Sequence, residues 1–196
     1  MARQKTQQVR IISGKLKGKM LDYPKGRDTR PTMQQTRAAV FDSIGLALRG
    51  AVMIDLFAGA GAVGIEALSR GAGFVHFVEV DPRAVKLLER NLHKCALGPD
   101  RARVHPLSVF DFLAGSGELL SGAGLVFADP PYDGEDARTL LAILCGMRYA
   151  DSCLLVLEHR KDLSVENSPG LERTKIKKFG RTWVSFFVPV EGEIRS

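Results

Sequence analysis

Four consecutive residues, Asp129-Pro130-Pro131-Tyr132, have the composition of a site for a flat ring that carries an amine. They follow the apolar run 125–128, which is typical of a short buried strand, so the acid comes where open α/β sheets keep their ligands. Proline has no backbone N–H, so the segment offers mainly hydrogen-bond acceptors, the Asp129 carboxylate and backbone carbonyls. Acceptors of this kind suit an NH2 group, and Tyr132 suits stacking on the ring. For the four residues alone, a rigid loop after a strand is an equally good interpretation.

A glycine-rich segment between a predicted strand and a predicted helix has the spacing of a nucleoside-binding loop. Gly59, Gly61 and Gly64 fit the pattern G-x-G-x-x-G, and Glu79 follows about 20 residues later, where a carboxylate can accept from both ribose hydroxyls. The spacing alone would indicate a nicotinamide dinucleotide. Asp55 argues against that, because a carboxylate just before the loop repels a pyrophosphate and favours a ligand with ammonium and sulfonium groups, namely S-adenosylmethionine. Purely structural roles stay open: the glycines for helix packing, and Asp55 as a cap for the following turn.

The positive charge of the chain is concentrated at its amino terminus. Residues 1–37 hold ten Lys or Arg against two acids, a balance of +8, whereas the rest of the chain carries −2 of the net charge of +6. A basic arm on a near-neutral body is typical of a polyanion-binding protein, although a merely solvated basic tail is the alternative. The candidate nucleic-acid contacts are Lys15, Lys17, Lys19, Arg30 and Arg37. The two arginines could equally be structural ion-pair partners.

Two regions of different pattern predict the domain organisation. Residues 1–50 are expected to form a basic extension, with a β-hairpin that exposes its lysines together and a helix from about Thr32 to Gly50. Residues 51–196 alternate strand and helix, which predicts an α/β fold with a mostly parallel, doubly wound sheet. The predicted elements of this second region are strands at 52–57, 74–79, 102–107, 125–129 and 153–158, helices at 62–70 and 136–145, a helix that begins at Asp81-Pro82, and a C-terminal antiparallel hairpin at 172–179 and 182–190.

Several classes of site and location are disfavoured by composition. The three cysteines form no C-x-x-C pair and the four histidines lack ligand spacing, so we expect neither a disulfide framework nor a bound metal. No apolar stretch approaches the roughly 18 residues that cross a bilayer, and the first residues lack the apolar core of a signal peptide. The sequence therefore predicts a cytoplasmic protein without a membrane partner.

Three motifs, in this order, resemble those of Rossmann-like S-adenosylmethionine methyltransferases that modify exocyclic amines: residues 55–61, 78–81 and 129–132. Three further segments, Arg10-Ile-Ile-Ser-Gly14, Arg30-Pro-Thr32 and Leu68-Ser-Arg-Gly71, narrow the resemblance to the RsmD-type bacterial 16S ribosomal RNA guanine-N2 methyltransferases. The resemblance runs from about Arg10 to Glu158 and is weakest in the tail.

This resemblance implies a role for each motif residue. Asp55, Gly59 and Gly61 would surround the methionine part of S-adenosylmethionine and Glu79 its ribose, while residues 129–132 would hold the target guanine, with Asp129 also bordering the cofactor. Phe57 and Val80, which belong to the same motifs, are placed at the cofactor as well. The implied partner is 16S ribosomal RNA or an assembling 30S subunit, and the oligomeric state is open, with a monomer favoured.

Two departures from the family pattern leave questions open. Relatives usually have an acid after the third strand to hold the adenine amine, whereas this chain has Ser108, with Asp111 shortly after it. The glutamate that the family has directly after Arg37 is Ala38 in this chain, so no role of that position carries over. The alternatives to an rRNA enzyme are a DNA adenine-N6 or cytosine-N4 methyltransferase, a non-catalytic RNA-binding assembly protein and, least favoured, a nicotinamide oxidoreductase.

Overall fold

A computed structural model of the protein describes residues 6–24, 31–131, 135–160 and 170–190. It confirms the predicted α/β fold: a mostly parallel sheet of seven strands with helices on both faces, antiparallel strands at its C-terminal side, and a separate two-stranded hairpin near the amino terminus. Two predicted site residues, Arg30 and Tyr132, lie outside the described residues.

The predicted helices and strands are present in the predicted order, with shifts at their ends. The strands are β1 (Thr6–Arg10), β2 (Met20–Pro24), β3 (Val52–Leu56), β4 (Phe74–Val78), β5 (Ala102–His105), β6 (Leu125–Ala128), β7 (Leu154–Arg160), β8 (Leu171–Phe179) and β9 (Thr182–Pro189). The helices are α1 (Pro31–Ile44), α2 (Ala62–Arg70), α3 (Pro82–Lys94), α4 (Val109–Ala114), α5 (Gly117–Ser121) and α6 (Glu135–Cys145), with a short 3-10 helix (Gly45–Leu48) after α1. Two short helices that the sequence did not predict, α4 and α5, lie between β5 and β6.

The order of the large sheet is β5-β4-β3-β6-β7-β9-β8, and its first five strands are parallel. From β3 the chain adds strands β4 and β5 on one side and then β6 and β7 on the other side. The boundary between β3 and β6 is therefore the topological switch point, where doubly wound folds bind ligands. Strand β9 is antiparallel to both β7 and β8. At the switch point Leu56 of β3 pairs with Ala128 of β6, so the segments after these two residues leave the sheet side by side.

Burial explains why the central strands have continuous apolar sequences. All four residues of β6 are buried, as a parallel strand covered on both faces requires. Helix α3 begins as predicted, because the Asp81 side chain accepts a hydrogen bond from the Arg83 N–H (2.9 Å) and Pro82 occupies the first turn. Three residues, 79–81, connect the end of β4 to the start of α3, and Glu79 is the first of them.

The amino-terminal hairpin packs on the body of the fold. Its turn approaches α2 so closely that Gly14, with φ of +82°, has no room for a side chain against the Ser69 carbonyl. The fully buried Glu66 carboxylate accepts from the backbone N–H groups of Ile12 (2.8 Å) and Ser13 (3.0 Å) and from Arg70 Nε (2.8 Å). One hydrophobic cluster contains buried side chains from both predicted regions, 1–50 and 51–196. The division into 1–50 and 51–196 stays a prediction.

Among the described residues, no helix is both long and apolar enough to span a membrane. In the same part of the chain, no group of three or more acidic, histidine or cysteine side chains is arranged to hold a metal ion.

Candidate functional site

The glycine loop between β3 and α2 turns sharply because three of its residues have positive φ. These are Phe57 (+61°), Gly59 (+55°) and Gly61 (+80°), and the Gly61 N–H donates to the Ala58 carbonyl (2.8 Å). Glycine adopts this backbone region freely, whereas a bulky residue such as Phe57 does so at an energetic cost. Strain of this kind concentrates at ligand sites, which favours the loop as a binding element.

Glu79 holds this loop from the end of β4. Its Oε2 accepts from the Gly59 N–H (2.8 Å), and its Oε1 accepts from the Asp81 N–H (2.8 Å). An ionised carboxylate has about four acceptor positions, so lone pairs remain after these two bonds. The predicted spacing between the loop and the acid thus corresponds to a direct contact.

A cleft opens beside Glu79, between the glycine loop and the start of α3. Its lining includes Gly59, Glu79 and Arg83, and also Tyr23 and Pro24 from the end of β2. The amino-terminal hairpin therefore forms one wall of the cleft, which no sequence motif indicated.

Asp55 is almost fully buried on β3, with 2% of its surface exposed. Its Oδ2 accepts from the Gly64 N–H (2.9 Å) in the first turn of α2, so the capping role left open by the sequence is present. The pKa of Asp55 is raised to about 7, mainly by burial; the hydrogen bond from Gly64 opposes this shift, and the negative charge of Glu79 adds to it. A cationic ligand nearby would favour the ionised form, and that role of Asp55 stays a prediction.

Gly61 and Gly64 are also needed for helix packing. A Cβ on Gly61 would overlap the Leu88 side chain, and one on Gly64 would overlap the Phe77 ring. The packing alternative considered for both glycines is therefore present in the structure, alongside the backbone bend at Gly61.

Asn91 connects the hairpin to the glycine loop. It is fully buried in α3; its Nδ2 donates to the carbonyls of Asp22 and Ala60 (both 2.9 Å), and its Oδ1 accepts from the Asp22 N–H (2.9 Å). Sequence reasoning missed this residue. The available signal was its place between Leu88 and Leu92, where an amide interrupts the apolar face of α3.

Asp129 and Pro130 follow directly after β6, next to the point where the glycine loop leaves β3. Asp129 is half-buried, Pro130 is buried and Pro131 is exposed. The structure therefore brings the predicted catalytic segment and the predicted cofactor loop together at the carboxyl ends of adjacent strands.

The other predicted cofactor residues lie around this edge of the sheet. Phe57 is half-buried and Val80 is 61% exposed. Ser108 caps α4: its Oγ accepts from the Asp111 N–H (3.0 Å) and donates to Asp111 Oδ2 (2.7 Å). The two candidates for an adenine contact thus form one hydrogen-bonded pair.

The predicted nucleic-acid contacts differ in exposure. Lys15, Lys17 and Lys19 are exposed on or beside the hairpin turn, and Lys19 Nζ donates to the Lys94 carbonyl (3.1 Å). Arg37 is only 9% exposed; its Nη2 donates to the Arg10 carbonyl (2.6 Å) and its Nε lies 3.9 Å from Glu66 Oε2.

Burial lowers the pKa of the Arg37 guanidinium, and the charge of Glu66 opposes that shift. The ion-pair alternative raised for Arg37 is thus observed. Its phosphate contact stays a prediction.

Comparison with known proteins covers nearly the whole chain. The family model described as conserved hypothetical protein 95 matches residues 9–188. YlbH of Bacillus subtilis, described as a candidate rRNA methyltransferase, is 32% identical over 181 residues, which cover 91% of this chain and 98% of YlbH. Ribosomal RNA small subunit methyltransferase D of Haemophilus influenzae is 31% identical over 156 residues, covering 79% of this chain and 80% of that protein.

A solved structure agrees with these sequence relatives. The candidate methyltransferase yhhF of Escherichia coli superimposes with a TM-score of 0.81 at 28% identity, and the alignment covers 93% of this chain and 98% of that one. The range of the family match, residues 9–188, includes most of the amino-terminal hairpin and of the C-terminal strands as well as the central sheet.

Proposed function

Because the chain belongs to the conserved hypothetical protein 95 family, that of the RsmD-type rRNA methyltransferases, we propose that it methylates the N2 amine of a guanine in small-subunit (16S) ribosomal RNA, with S-adenosylmethionine as the methyl donor. One observation carries the proposal. The cofactor-type loop held by Glu79 and the acceptor segment at Asp129 leave adjacent parallel strands at the same edge of the sheet.

The residues at this edge fit S-adenosylmethionine, which supplies a methyl group on a positively charged sulfur. Glu79 has acceptor capacity left for the ribose hydroxyls. Asp55 provides a buried carboxyl group at the base of the loop, and a cation in the loop would shift it towards its ionised form. We assign the adenine amine to the Ser108–Asp111 pair, in which the serine hydroxyl fixes the carboxylate.

Asp129 and the Pro130 carbonyl are assigned to the two hydrogens of the guanine amine. The nitrogen lone pair is delocalised into the ring, so the amine is a poor nucleophile. Two acceptors would favour a pyramidal nitrogen and offset the positive charge that develops on it. Once the amine is methylated, its nitrogen releases a proton to Asp129 or to water. Tyr132 is assigned to stacking on the base, an interaction worth about 1–3 kcal/mol.

Binding of the RNA backbone is assigned to the basic extension. Lys15, Lys17 and Lys19 present three exposed cations on one turn, and Arg30 and Arg37 are the remaining candidates. Phosphate neutralisation by such residues makes binding salt-dependent. The oligomeric state proposed for the enzyme is a monomer.

The variant Asp129→Ala tests the assignment of the acceptor. Loss of one preorganised partner in the transition state lowers kcat by about 100-fold or more, whereas the affinity for S-adenosylhomocysteine should fall far less, because the loop and Glu79 are untouched. Single-turnover methyl transfer to 30S particles and calorimetric titration measure the two quantities. Wild-type turnover in Asp129→Ala would overturn the assignment, and the exposed Asp151→Asn variant is the matched control.

A further inference from the structure

The β8–β9 hairpin brings a cluster of positive charges to the edge of the sheet that carries the candidate site. Strand β8 is parallel to β7, because both are antiparallel to β9. Arg160 at the carboxyl end of β7 pairs with Thr182, which also pairs with Phe179. The turn at Gly180 and Arg181 therefore lies at the same edge as Asp129.

The charge of this hairpin is strongly one-sided. Between residues 171 and 181 the chain has five basic side chains and one acid, Glu172. The basic residues are Arg173, Lys175, Lys177, Lys178 and Arg181; Lys177 is half-buried and the other four are exposed. The last three lie towards the site edge, whereas Arg173 pairs with Phe187, level with Leu155 near the start of β7.

Contacts hold three of these lysines in place. Lys177 Nζ donates to the Ala39 carbonyl of α1 (3.0 Å), and Lys175 Nζ donates to Ser43 Oγ of the same helix (3.2 Å). Lys178 Nζ lies 4.2 Å from the centroid of the half-buried Trp183 ring. Successive strand residues point to opposite faces of a sheet, so Lys175 and Lys177 face helix α1, whereas Lys178 lies with Trp183 on the other face.

We propose that Lys178 and Arg181, with Trp183, form a second RNA-binding surface, the C-terminal basic patch. It binds phosphates of the strand that leads away from the target base. The patch and the cofactor loop lie on opposite sides of β6, and the patch is three strands from Asp129, about 14 Å at the usual strand spacing. This inference rests on the proposed RNA substrate and adds the path of the RNA across the sheet.

Edge-strand protection is the competing explanation for the lysines, because charges on an edge strand oppose pairing with other chains. Protection would require no RNA contact and would make the position of each charge along β8 unimportant. RNA binding requires the charges at the end of β8 that lies on the same side as Asp129, and not those at the other end of the strand. The two explanations therefore predict different results for variants that remove equal charge at the two ends.

The test compares Lys178→Gln/Arg181→Gln with the control Arg148→Gln/Arg173→Gln, in which two exposed arginines at the other edge are removed. Filter binding to deproteinised 16S rRNA gives log K against log salt concentration. Each lost phosphate contact on single-stranded RNA makes the negative slope shallower by about 0.7. The slope of the patch variant should therefore be about 1.4 shallower than that of the wild type. Across a fourfold rise in salt, the wild type would then lose about seven times more affinity than the variant.

The control and the charge-conserving variant Lys178→Arg/Arg181→Lys should keep the wild-type slope. S-adenosylhomocysteine affinity, measured by calorimetry, should be unchanged in all variants and shows that they fold. A wild-type slope in the patch variant, or an equal loss in the control, would overturn the patch. If the wild type bound RNA with the predicted slopes but methylated no RNA, the patch would stand and the proposed enzyme function would fail.

Discussion

The variant Asp55→Asn tests whether the carboxyl group at the base of the glycine loop is buried as deeply as the structure indicates. Burial raises its pKa from an ordinary value of 3.8 to about 7. Between these two pH values the folded protein keeps a proton that the unfolded chain has released, so this group makes folding less favourable as the pH rises. Asparagine has nearly the same shape, can still accept from the Gly64 N–H through its oxygen, and does not titrate.

The size of the effect follows from the two pKa values. Linkage gives a loss of roughly 2–3 kcal/mol in the free energy of unfolding between pH 5 and pH 8 for a group that shifts from 3.8 to about 7. The stability of Asp55→Asn relative to the wild type should therefore improve by about that amount over this range. Urea denaturation of both proteins at the two pH values measures the difference, and the exposed Asp151→Asn variant is the control. A difference that does not change with pH would refute the reasoning.

Two further variants test the packing around the loop. Gly64→Ala places a methyl group against the Phe77 ring and should lower the free energy of unfolding by about 1–3 kcal/mol, whereas Gly117→Ala, where the added Cβ meets open space, should not; equal effects in urea denaturation would contradict the packing account. Asn91→Ala leaves buried backbone groups of Asp22 and Ala60 without partners, so we expect a loss of about 1–3 kcal/mol and weaker S-adenosylhomocysteine binding in calorimetry. Unchanged cofactor affinity in Asn91→Ala would show that this bridge does not position the loop.

Local patterns predicted the elements whose boundaries are set by nearby residues. Helix α2 has the expected bounds, and α3 begins at the expected Asp81-Pro82 cap, because caps and apolar spacing act within a few residues. Helices α4 and α5 were missed, since six and five residues are too short to show a period. The order of strands depends on pairing between distant segments and could not be read from local pattern.

The candidate site shows the same division. The motif fixes the spacing of Gly59 and Glu79 along one strand–helix–strand unit, so the sequence predicted both residues at the cofactor loop. The direct hydrogen bond between them is what the structure adds. The bridge from Asn91 to Asp22 joins residues 69 positions apart, and Tyr23 reaches the cleft only because the hairpin folds over α3. No local pattern carries that information. The sequence left two roles open for Arg37, and burial beside Glu66 is what the fold adds.

Identification of the methylated nucleoside is the most direct test of the central claim. The purified protein is incubated with isotope-labelled S-adenosylmethionine and unmethylated 30S particles, the RNA is digested, and the labelled nucleoside is identified by mass spectrometry. The proposed function predicts label in N2-methylguanosine from the small-subunit RNA and none in duplex DNA. Label in N6-methyladenosine or N4-methylcytosine, or transfer to DNA and not to 30S particles, would contradict it.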